Sequence, residues 1–267
     1  MRRPYLLLVA LLASVAASAN AQSDRAARFM DNCQRNGNDD ERFCETRTLT
    51  AGAVRLLTVD GRSNGGISVH GWDRADIQIL AMVQAHANSE AEAREIARGI
   101  NVVASGGQVR AEGPSTGRRE SWSVSYDVYV PRQTNLTLTA NNGGVSIESI
   151  ASTISVETEN GGLTLNDVHG DVHARTVNGG INAELTGDRW LGNGLDLRTS
   201  NGGVRLTIPS NYSANLETGT VNGSVNIDFP VTVSGRIDRK QFSTTLGSGG
   251  PLVRATTTNG SVTIRKN

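Results

Sequence analysis

Apolar and polar residues alternate along most of this chain, and the same short turn interrupts the alternation again and again. Seven times an Asn-Gly pair followed by Gly or Ser leads into an apolar–polar–apolar triplet, with the copies beginning at Asn64, Asn142, Asn160, Asn178, Asn201, Asn222 and Asn259. Alternation with a period of two is typical of a β-strand with one buried face. Asn-Gly between two such runs predicts a tight turn, because Gly has no steric cost at positive φ. The chain is therefore predicted to be all-β.

The spacing of the motifs indicates stacked repeats. The copies at Asn142, Asn160 and Asn178 begin 18 residues apart, and residues 145–162 align with 163–180 without a gap. Such units bury their apolar faces only against their neighbours. Two architectures fit this pattern: a parallel β-solenoid, or an antiparallel β-sandwich or meander in which each turn closes a hairpin. Near-identical units favour the parallel β-solenoid, since stacking sets like residues side by side.

The alternation also predicts where the motif side chains point. Thr158 and Asn160 have the same parity as the apolar residues Ile154 and Val156, and later copies repeat this relation. Only the copy near Asn64 breaks it. We therefore expect these threonines and asparagines to face the core, with the amides hydrogen-bonded along the stack as an asparagine ladder. On this interpretation the motif is structural and cannot touch a ligand.

The first 21 residues have the pattern of a secretory signal peptide. Arg2 and Arg3 precede an apolar stretch from Leu6 to Ala17, and Ala19-Asn20-Ala21 has the small residues of a cleavage site. Cleavage there would leave 246 residues (267 minus 21) in a periplasmic, cell-surface or secreted protein. The residue directly after the cleavage site is Gln22 and not a cysteine, and no later stretch has the ~20 apolar residues of a spanning helix. We therefore expect no lipid anchor and no membrane insertion after cleavage.

The charge balance narrows the range of partners. Without Arg2 and Arg3, the mature chain has 24 basic and 26 acidic residues, a net charge near −2. This balance gives no electrostatic basis for binding nucleic acid or an anionic membrane. Aromatic residues make up 4% of the chain, too few to give every repeat a stacking platform for bases. We expect no nucleic-acid partner, and the sequence does not specify an oligomeric state.

Residues 22–50 are polar and irregular around the two cysteines. In an oxidising compartment, Cys33 and Cys44 are expected to form a disulfide. We interpret this segment, with a short helix at Asp24–Asp31, as an N-terminal cap that covers the open end of the stack. Residues 51–267 then form the repeat domain.

A helix is predicted within the long gap between the first two motifs. Ser89 and Glu92 make a capping box at about residues 89–99, and Gly99 follows a run of good helix formers. Residues 102–109 and 122–130 are then expected to be strands. Residues 229–248 depart furthest from the repeat and are expected to form a loop or hairpin.

Candidate catalytic and metal-binding residues are few. His169, Asp171 and His173 alternate, which could gather ligands on one strand face, but the repeat alignment places His173 on the solvent side. The acidic residues are scattered, without the repeated carboxylate pair that a glycosidase would need. A Gly-x-Ser-x-Gly nucleophile motif is also absent from the sequence. We therefore assign no catalytic residue, no cofactor and no metal.

Three tryptophans, Trp72, Trp122 and Trp190, could stack on sugar rings. Residues 189–193 are an insertion relative to the 18-residue unit, which makes Trp190 the best candidate for exposure. We take Trp190 as a candidate surface-binding residue.

The Asn-Gly-Gly units, the turn at Val69–Asp73, the early helix and the strand ending at Val130-Pro131 together resemble the bacterial "putative adhesin" β-strand-repeat family, a domain of unknown function. The resemblance covers roughly Leu49 to Ile264. It implies an exported β-solenoid at the cell surface or envelope and brings no catalytic residues. We expect a non-catalytic, adhesin-like scaffold for contacts with an envelope protein or a glycan. The alternative is a carbohydrate-active β-helix protein that binds or cleaves polysaccharide, which a cleft with two or more carboxylates would support.

Overall fold

The computed structural model describes residues 22–33, 35, 41–228 and 240–267. The predicted signal peptide, residues 1–21, lies outside the described residues. Helix α1 covers residues 22–33 and helix α2 covers Glu90–Arg98. Neither of these helices has the length and apolar character that a membrane-spanning segment of the described chain would need.

The rest of the described chain is mostly β-strand, which confirms the all-β prediction. Toward the N-terminus the strands are β1 (Arg42–Gly52), β2 (Leu56–Asp60), β3 (Ile67–Trp72), β4 (Asp76–His86), β5 (Asn101–Ser105), β6 (Gln108–Glu112) and β7 (Ser121–Pro131). They are followed by β8 (Asn135–Ala140), β9 (Val145–Asn160), β10 (Leu163–Asn178), β11 (Ile181–Glu184), β12 (Gly194–Asn201), β13 (Val204–Ile208), β14 (Ala214–Asn222), β15 (Val225–Ile227), β16 (Gln241–Leu246), β17 (Leu252–Asn259) and β18 (Val262–Lys266).

Each Asn-Gly turn joins an incoming strand to an outgoing strand, and we call this unit a coil. The incoming strands pair with one another in a pre-turn stack, and the outgoing strands pair in a post-turn stack. Both stacks are parallel and in register: Val145 lies opposite Leu163 after the turn, and Asn160 lies opposite Asn178 before the next one. The coils therefore pair as stacked repeats predict, and not as hairpins would.

The last two coils do not stack in chain order. The coil of Asn201 pairs with the C-terminal coil of Asn259, through β12–β17 and β13–β18. The coil of Asn222 pairs with the other side of that C-terminal coil, through β14–β17 and β15–β18. The C-terminal strands are thus inserted between two coils that precede them in the sequence. Antiparallel pairing of β16 with β14 then covers the outer side of the pre-turn stack.

The other end of the post-turn stack is closed by longer antiparallel strands. β7 pairs in parallel with β3, and β4 joins β7 to β1 through antiparallel ladders. The segment predicted to be irregular therefore contains the 11-residue strand β1, which crosses the expected domain boundary at residue 50. Helix α2 packs against β1 and β4. The Ser89 side chain caps α2 by accepting a hydrogen bond from the Glu92 backbone N–H, as the sequence predicts.

Two segments differ from the predicted strands. Residues 102–109 do not form one strand, because Gly106 and Gly107 adopt φ of 60° and 75° and reverse the chain between β5 and β6. This hairpin extends the pre-turn stack, since β6 pairs in parallel with β2. Of the expected loop or hairpin at 229–248, residues 229–239 lie outside the described part of the chain, and β16 forms most of the remainder.

The predicted disulfide is present between Cys33 of α1 and Cys44 of β1. It joins the N-terminal helix to the outermost strand of the post-turn stack. Closing a loop of this length stabilises a fold by about 2–3 kcal/mol in the chain-entropy model. The cysteines therefore attach α1 covalently to the sheet.

The core lies between the two stacks and is filled by the inward-facing apolar residues of the alternating strands. Val172 and Leu195 are neighbours in the pre-turn stack and are almost fully buried, as the repeat alignment predicts. His173, one residue later, keeps 62% of its side chain exposed. Columns of like aliphatic side chains therefore replace the single cluster of a globular core.

The first glycine of each motif is required for a reason other than the one predicted. Of these seven glycines, only Gly260 has a positive φ. Each of the other six instead faces the backbone of a neighbouring turn or strand. For example, a Cβ built on Gly179 would lie 2.1 Å from the carbonyl oxygen of Gly161. The second glycine has more room, and a Cβ on Gly180 would lie 3.4 Å from the oxygen of Gly203. Glycine is therefore needed at the first position because stacked turns leave no space for a side chain.

We predict that Gly179→Ala lowers the melting temperature sharply, because the new methyl group must push two backbones apart at a cost of about 3 kcal/mol or more. Gly180→Ala is the matched control and should change stability by less than about 1 kcal/mol. The chain itself places Ser at that position in its last two motifs, Ser224 and Ser261. Thermal unfolding of the two purified variants tests this, and equal melting temperatures would contradict the steric explanation.

Candidate functional site

The seven motif asparagines form one continuous ladder. Asn160 donates from Nδ2 to Oδ1 of Asn142 at 2.8 Å, and Asn178 donates to Asn160 at the same distance. The remaining bonds, at 2.7–3.2 Å, extend the ladder from Asn64 through Asn201 and Asn259 to Asn222. The predicted ladder exists and includes the first copy, which the parity rule left out.

The ladder faces solvent, and the expectation that it faces the core is wrong. All seven asparagines are exposed. Thr158 is 4% exposed, yet Glu159 and Asn160 that follow it are both exposed. The alternation ends at Thr158: the pairing of β9 with β10 passes from Thr158 to Asn160 without including Glu159, and the last two residues of β9 are both exposed. The ladder therefore lies on the outside of each corner.

A second ladder, made by the threonines, lies beneath the first. Thr176 is fully buried and donates from Oγ1 to the Gly161 carbonyl oxygen at 2.8 Å. The equivalent threonines make the same bond to the first glycine of an adjacent motif, with donors Thr158, Thr199, Thr220 and Thr257. The inward direction predicted for the threonines is thus confirmed. Five of the seven turns therefore accept a threonine hydroxyl on the core side, and all seven take part in the asparagine ladder on the solvent side.

We predict that Thr176→Val destabilises the fold more than Asn178→Ala does. Valine keeps the shape of threonine but leaves the buried Gly161 carbonyl without its donor, which costs about 1–3 kcal/mol. At Asn178 water can replace the lost partner, so a loss of about 0.5–1 kcal/mol is expected. Thermal melting of the two variants distinguishes them, and a greater loss for Asn178→Ala would show that the outer ladder dominates.

Two shallow depressions run beside the ladder on the pre-turn stack and meet at Arg175. One contains Glu157 and Glu159, and the other contains Arg198 and Val221. Glu157, Arg175 and Arg198 are neighbours in register on successive strands. Hydroxyl groups of threonine and serine complete the walls. The surface beside the ladder is therefore polar, of mixed charge and open to solvent.

Trp190 is buried, and its predicted role as an exposed binding residue is wrong. It is 2% exposed, and its indole N–H donates to the Gly170 carbonyl oxygen at 3.0 Å. The ring also packs against His169, with 5.8 Å between ring centroids. The insertion that carries Trp190 turns this ring toward the neighbouring coil, while its other four residues, including Leu191, are exposed.

Asp167 lies near His169, beside the packed Trp190 ring, and accepts hydrogen bonds from neighbouring coils. Its φ is 51°, in the left-handed region, and its carboxylate accepts hydrogen bonds from Ser149 at 2.9 Å and Thr186 at 2.6 Å. Burial acts to raise the pKa of Asp167, but the two hydroxyl donors, together with His169 and Arg132, outweigh it and hold the pKa below its usual value. The carboxylate is thus kept ionised as an acceptor that joins three coils, a structural role.

His70 lies between two carboxylates at the N-terminal end of the stack. Its Nδ1 is 3.1 Å from Glu148 and its Nε2 is 3.0 Å from the fully buried Asp127. Arg25 of α1 contacts the same Asp127 oxygen at 3.1 Å. Burial and the Asp127 charge raise the pKa of Tyr129, which stacks on the His70 ring. Because a buried carboxylate requires such partners, this cluster holds α1 against the sheet.

The residues considered for a metal site do not come together. His173 pairs with Asp171 at 3.2 Å, while His169 faces Asp167 and Trp190. Within the described ranges, no group of three or more His, Cys, Asp or Glu side chains is placed to hold a metal ion.

The sequence model of the family described as Toastrack DUF4097 matches residues 49–265. This range coincides with the span of the resemblance noted from the Asn-Gly-Gly units, and the match confirms it. A search of curated proteins finds no significant match.

Several solved structures are similar at low identity. A "putative cell adhesion protein" from Clostridium sporogenes has 11% identity and a TM-score of 0.45, over 85% of this chain and 100% of that one. A "putative adhesin" from Bacteroides fragilis has 11% identity and a TM-score of 0.33, over 84% and 97%. A "putative lipid binding protein" from Parabacteroides distasonis has 12% identity and a TM-score of 0.33, over 86% and 98%. No functional conclusion follows from likeness at this level.

Proposed function

The chain belongs to the Toastrack DUF4097 family, and we propose that it is an exported, non-catalytic β-solenoid of the cell envelope or surface. In this proposal the stacked coils act as an adhesin-like scaffold, and the asparagine ladder with its flanking depressions contacts an envelope protein or a glycan. The signal-peptide pattern of residues 1–21 supports export.

The exposure of the complete ladder is the observation that carries the proposal. Seven amides at strand spacing form a straight line of roughly 29 Å, six intervals of about 4.8 Å each. A primary amide has two N–H donors and an oxygen with two lone pairs, and the ladder uses one donor and one lone pair of each interior member. One donor and one acceptor per coil remain for a partner. A rigid surface of this kind suits an extended polar chain.

The experiment compares two triple variants on opposite sides of the stack. The first is Asn160→Ala, Asn178→Ala and Asn201→Ala, which removes three consecutive ladder members. The control is Thr164→Ala, Asn182→Ala and Arg205→Ala, a row in register on the post-turn stack. Both are used with the wild-type mature chain to capture partners from envelope extract.

We expect a partner held by the wild type and by the control to be lost with the ladder variant. Circular dichroism must first show that both variants retain β-structure at the assay temperature. Retention of every partner by the ladder variant would place the contact surface elsewhere. Absence of any specific partner for the wild type would speak against the scaffold role itself.

One observation favours the alternative, a carbohydrate-active protein. Glu157 and Glu159 line the same depression, and paired carboxylates are the groups that hydrolyse glycosidic bonds. Both residues are exposed, whereas a general acid of this type needs a less polar environment to stay protonated. This contrast supports contact over catalysis.

For a non-catalytic protein, we expect no release of reducing sugar when the purified mature chain is incubated with cell-wall and capsular polysaccharides. The double variant Glu157→Gln/Glu159→Gln is the matched control for trace contamination. Release by the wild type that disappears in the double variant would establish the carbohydrate-active alternative.

A further inference from the structure

A separate cavity of about 220 Å³ lies at the end of the stack that begins with the first motif. The turn at residues 60–64 forms one wall, and the beginning of β7 forms another. Ala111 of β6 and Thr116 of the following loop complete it. None of its residues lines the two depressions beside the ladder. It shares only Asn64, the terminal member of the ladder, with that surface.

The cavity contains a buried polar group without a partner. Tyr126 is 1% exposed, and its hydroxyl oxygen is buried with no hydrogen-bond partner among the described residues. Buried tyrosine hydroxyls normally have such a partner, so an unsatisfied one requires an explanation. Burial, and then the Asp60 charge, raise the pKa of Tyr126, while Arg62 acts in the opposite direction. The hydroxyl thus stays protonated at neutral pH and can donate.

The other walls combine one aromatic ring with small polar groups. Trp122 is partly exposed, and its indole N–H donates to the Pro114 carbonyl oxygen at 2.9 Å. The backbone of Gly113 lies so close that a Cβ there would be 2.7 Å from the ring, which fixes the ring's position. The polar residues of the lining are Asp60, Ser63, Asn64, Thr116, Ser121 and Ser123.

These features match the chemistry of a sugar. The weakly positive C–H groups of a pyranose ring pack well on the negative face of an aromatic ring, and its hydroxyls both donate and accept hydrogen bonds. Asp60 and Arg62, the two charged residues in the lining, have opposite signs, and this balance favours a neutral ligand. A cavity of about 220 Å³ has room for one pyranose ring at a time.

We propose that this cavity binds a single neutral pyranose ring, with the Tyr126 hydroxyl hydrogen-bonded to a sugar hydroxyl and Trp122 as the stacking wall. Such a ring could be free or the terminal residue of a glycan. Binding of a sugar in this cavity does not depend on the scaffold function proposed for the ladder.

The test uses saturation-transfer NMR on the purified mature chain, with the methyl pyranosides of glucose, galactose, mannose and N-acetylglucosamine as probes. Tyr126→Phe removes one oxygen and keeps the ring in place. We expect binding of the preferred glycoside to weaken roughly three- to tenfold, the worth of one hydrogen bond. The melting temperature should not fall, because the hydroxyl has no protein partner to lose.

Tyr212→Phe is the matched control. Tyr212 is 3% exposed and also has a buried hydroxyl without a hydrogen-bond partner in the described structure, but it does not line this cavity. We expect its affinity for the glycoside to equal that of the wild type. Absence of saturation transfer from all four glycosides to the wild type would overturn the proposal. Equal binding by the wild type and Tyr126→Phe, or equal weakening by both phenylalanine variants, would also overturn it.

Discussion

The stack depends on how closely successive turns approach one another. The first glycine of each motif faces the backbone of a neighbouring turn or strand at a distance where no Cβ fits, as Gly179 does over Gly161. This approach allows the strands on both sides of the turn to pair in parallel without a change of register. Because the register is constant, each threonine lies beneath a turn carbonyl and each asparagine lies beside the next one. Both ladders are therefore consequences of the absent side chain.

The regular part and the irregular part of the molecule carry different kinds of surface. Stacking repeats one residue type at one spacing, so the coils present long uniform rows such as the asparagine ladder. Clusters that combine different side chains, and that occur only once in the molecule, lie where the repeat is interrupted. His70 with Asp127, and Trp122 with Tyr126, both lie at the end where β4, β7 and the β5–β6 hairpin join the stack. An extended partner suits the coils, and a small ligand suits the interrupted end.

Periodicity in the sequence was enough to predict most of the strands, the buried Val172 and the inward threonines, while the expected export and the two cysteines predicted the disulfide. It failed at Asn160 because the alternation of buried and exposed residues ends at Thr158, and the last two residues of β9 are both exposed. It also misplaced Trp190, since an insertion says nothing about whether the added residues fold back. The exchanged order of the last two coils could not be predicted, because the motifs at Asn222 and Asn259 are alike and either can pair with Asn201. Tyr126 gave no signal at all, since its cavity forms from segments distant in sequence.

The choice of asparagine for the exposed row has a physical reason that connects structure with surface chemistry. A row of identical residues can hydrogen-bond to itself only if each side chain both donates and accepts, which the amide does and a carboxylate does not. Aspartates at about 4.8 Å spacing would repel one another by roughly 1 kcal/mol per pair even in water. Serine shares the donor and acceptor but is too short to span neighbouring strands with one hydroxyl. The amide therefore stabilises the turn while remaining neutral and half unsatisfied, so the same seven residues hold the stack together and keep donors and acceptors available toward solvent.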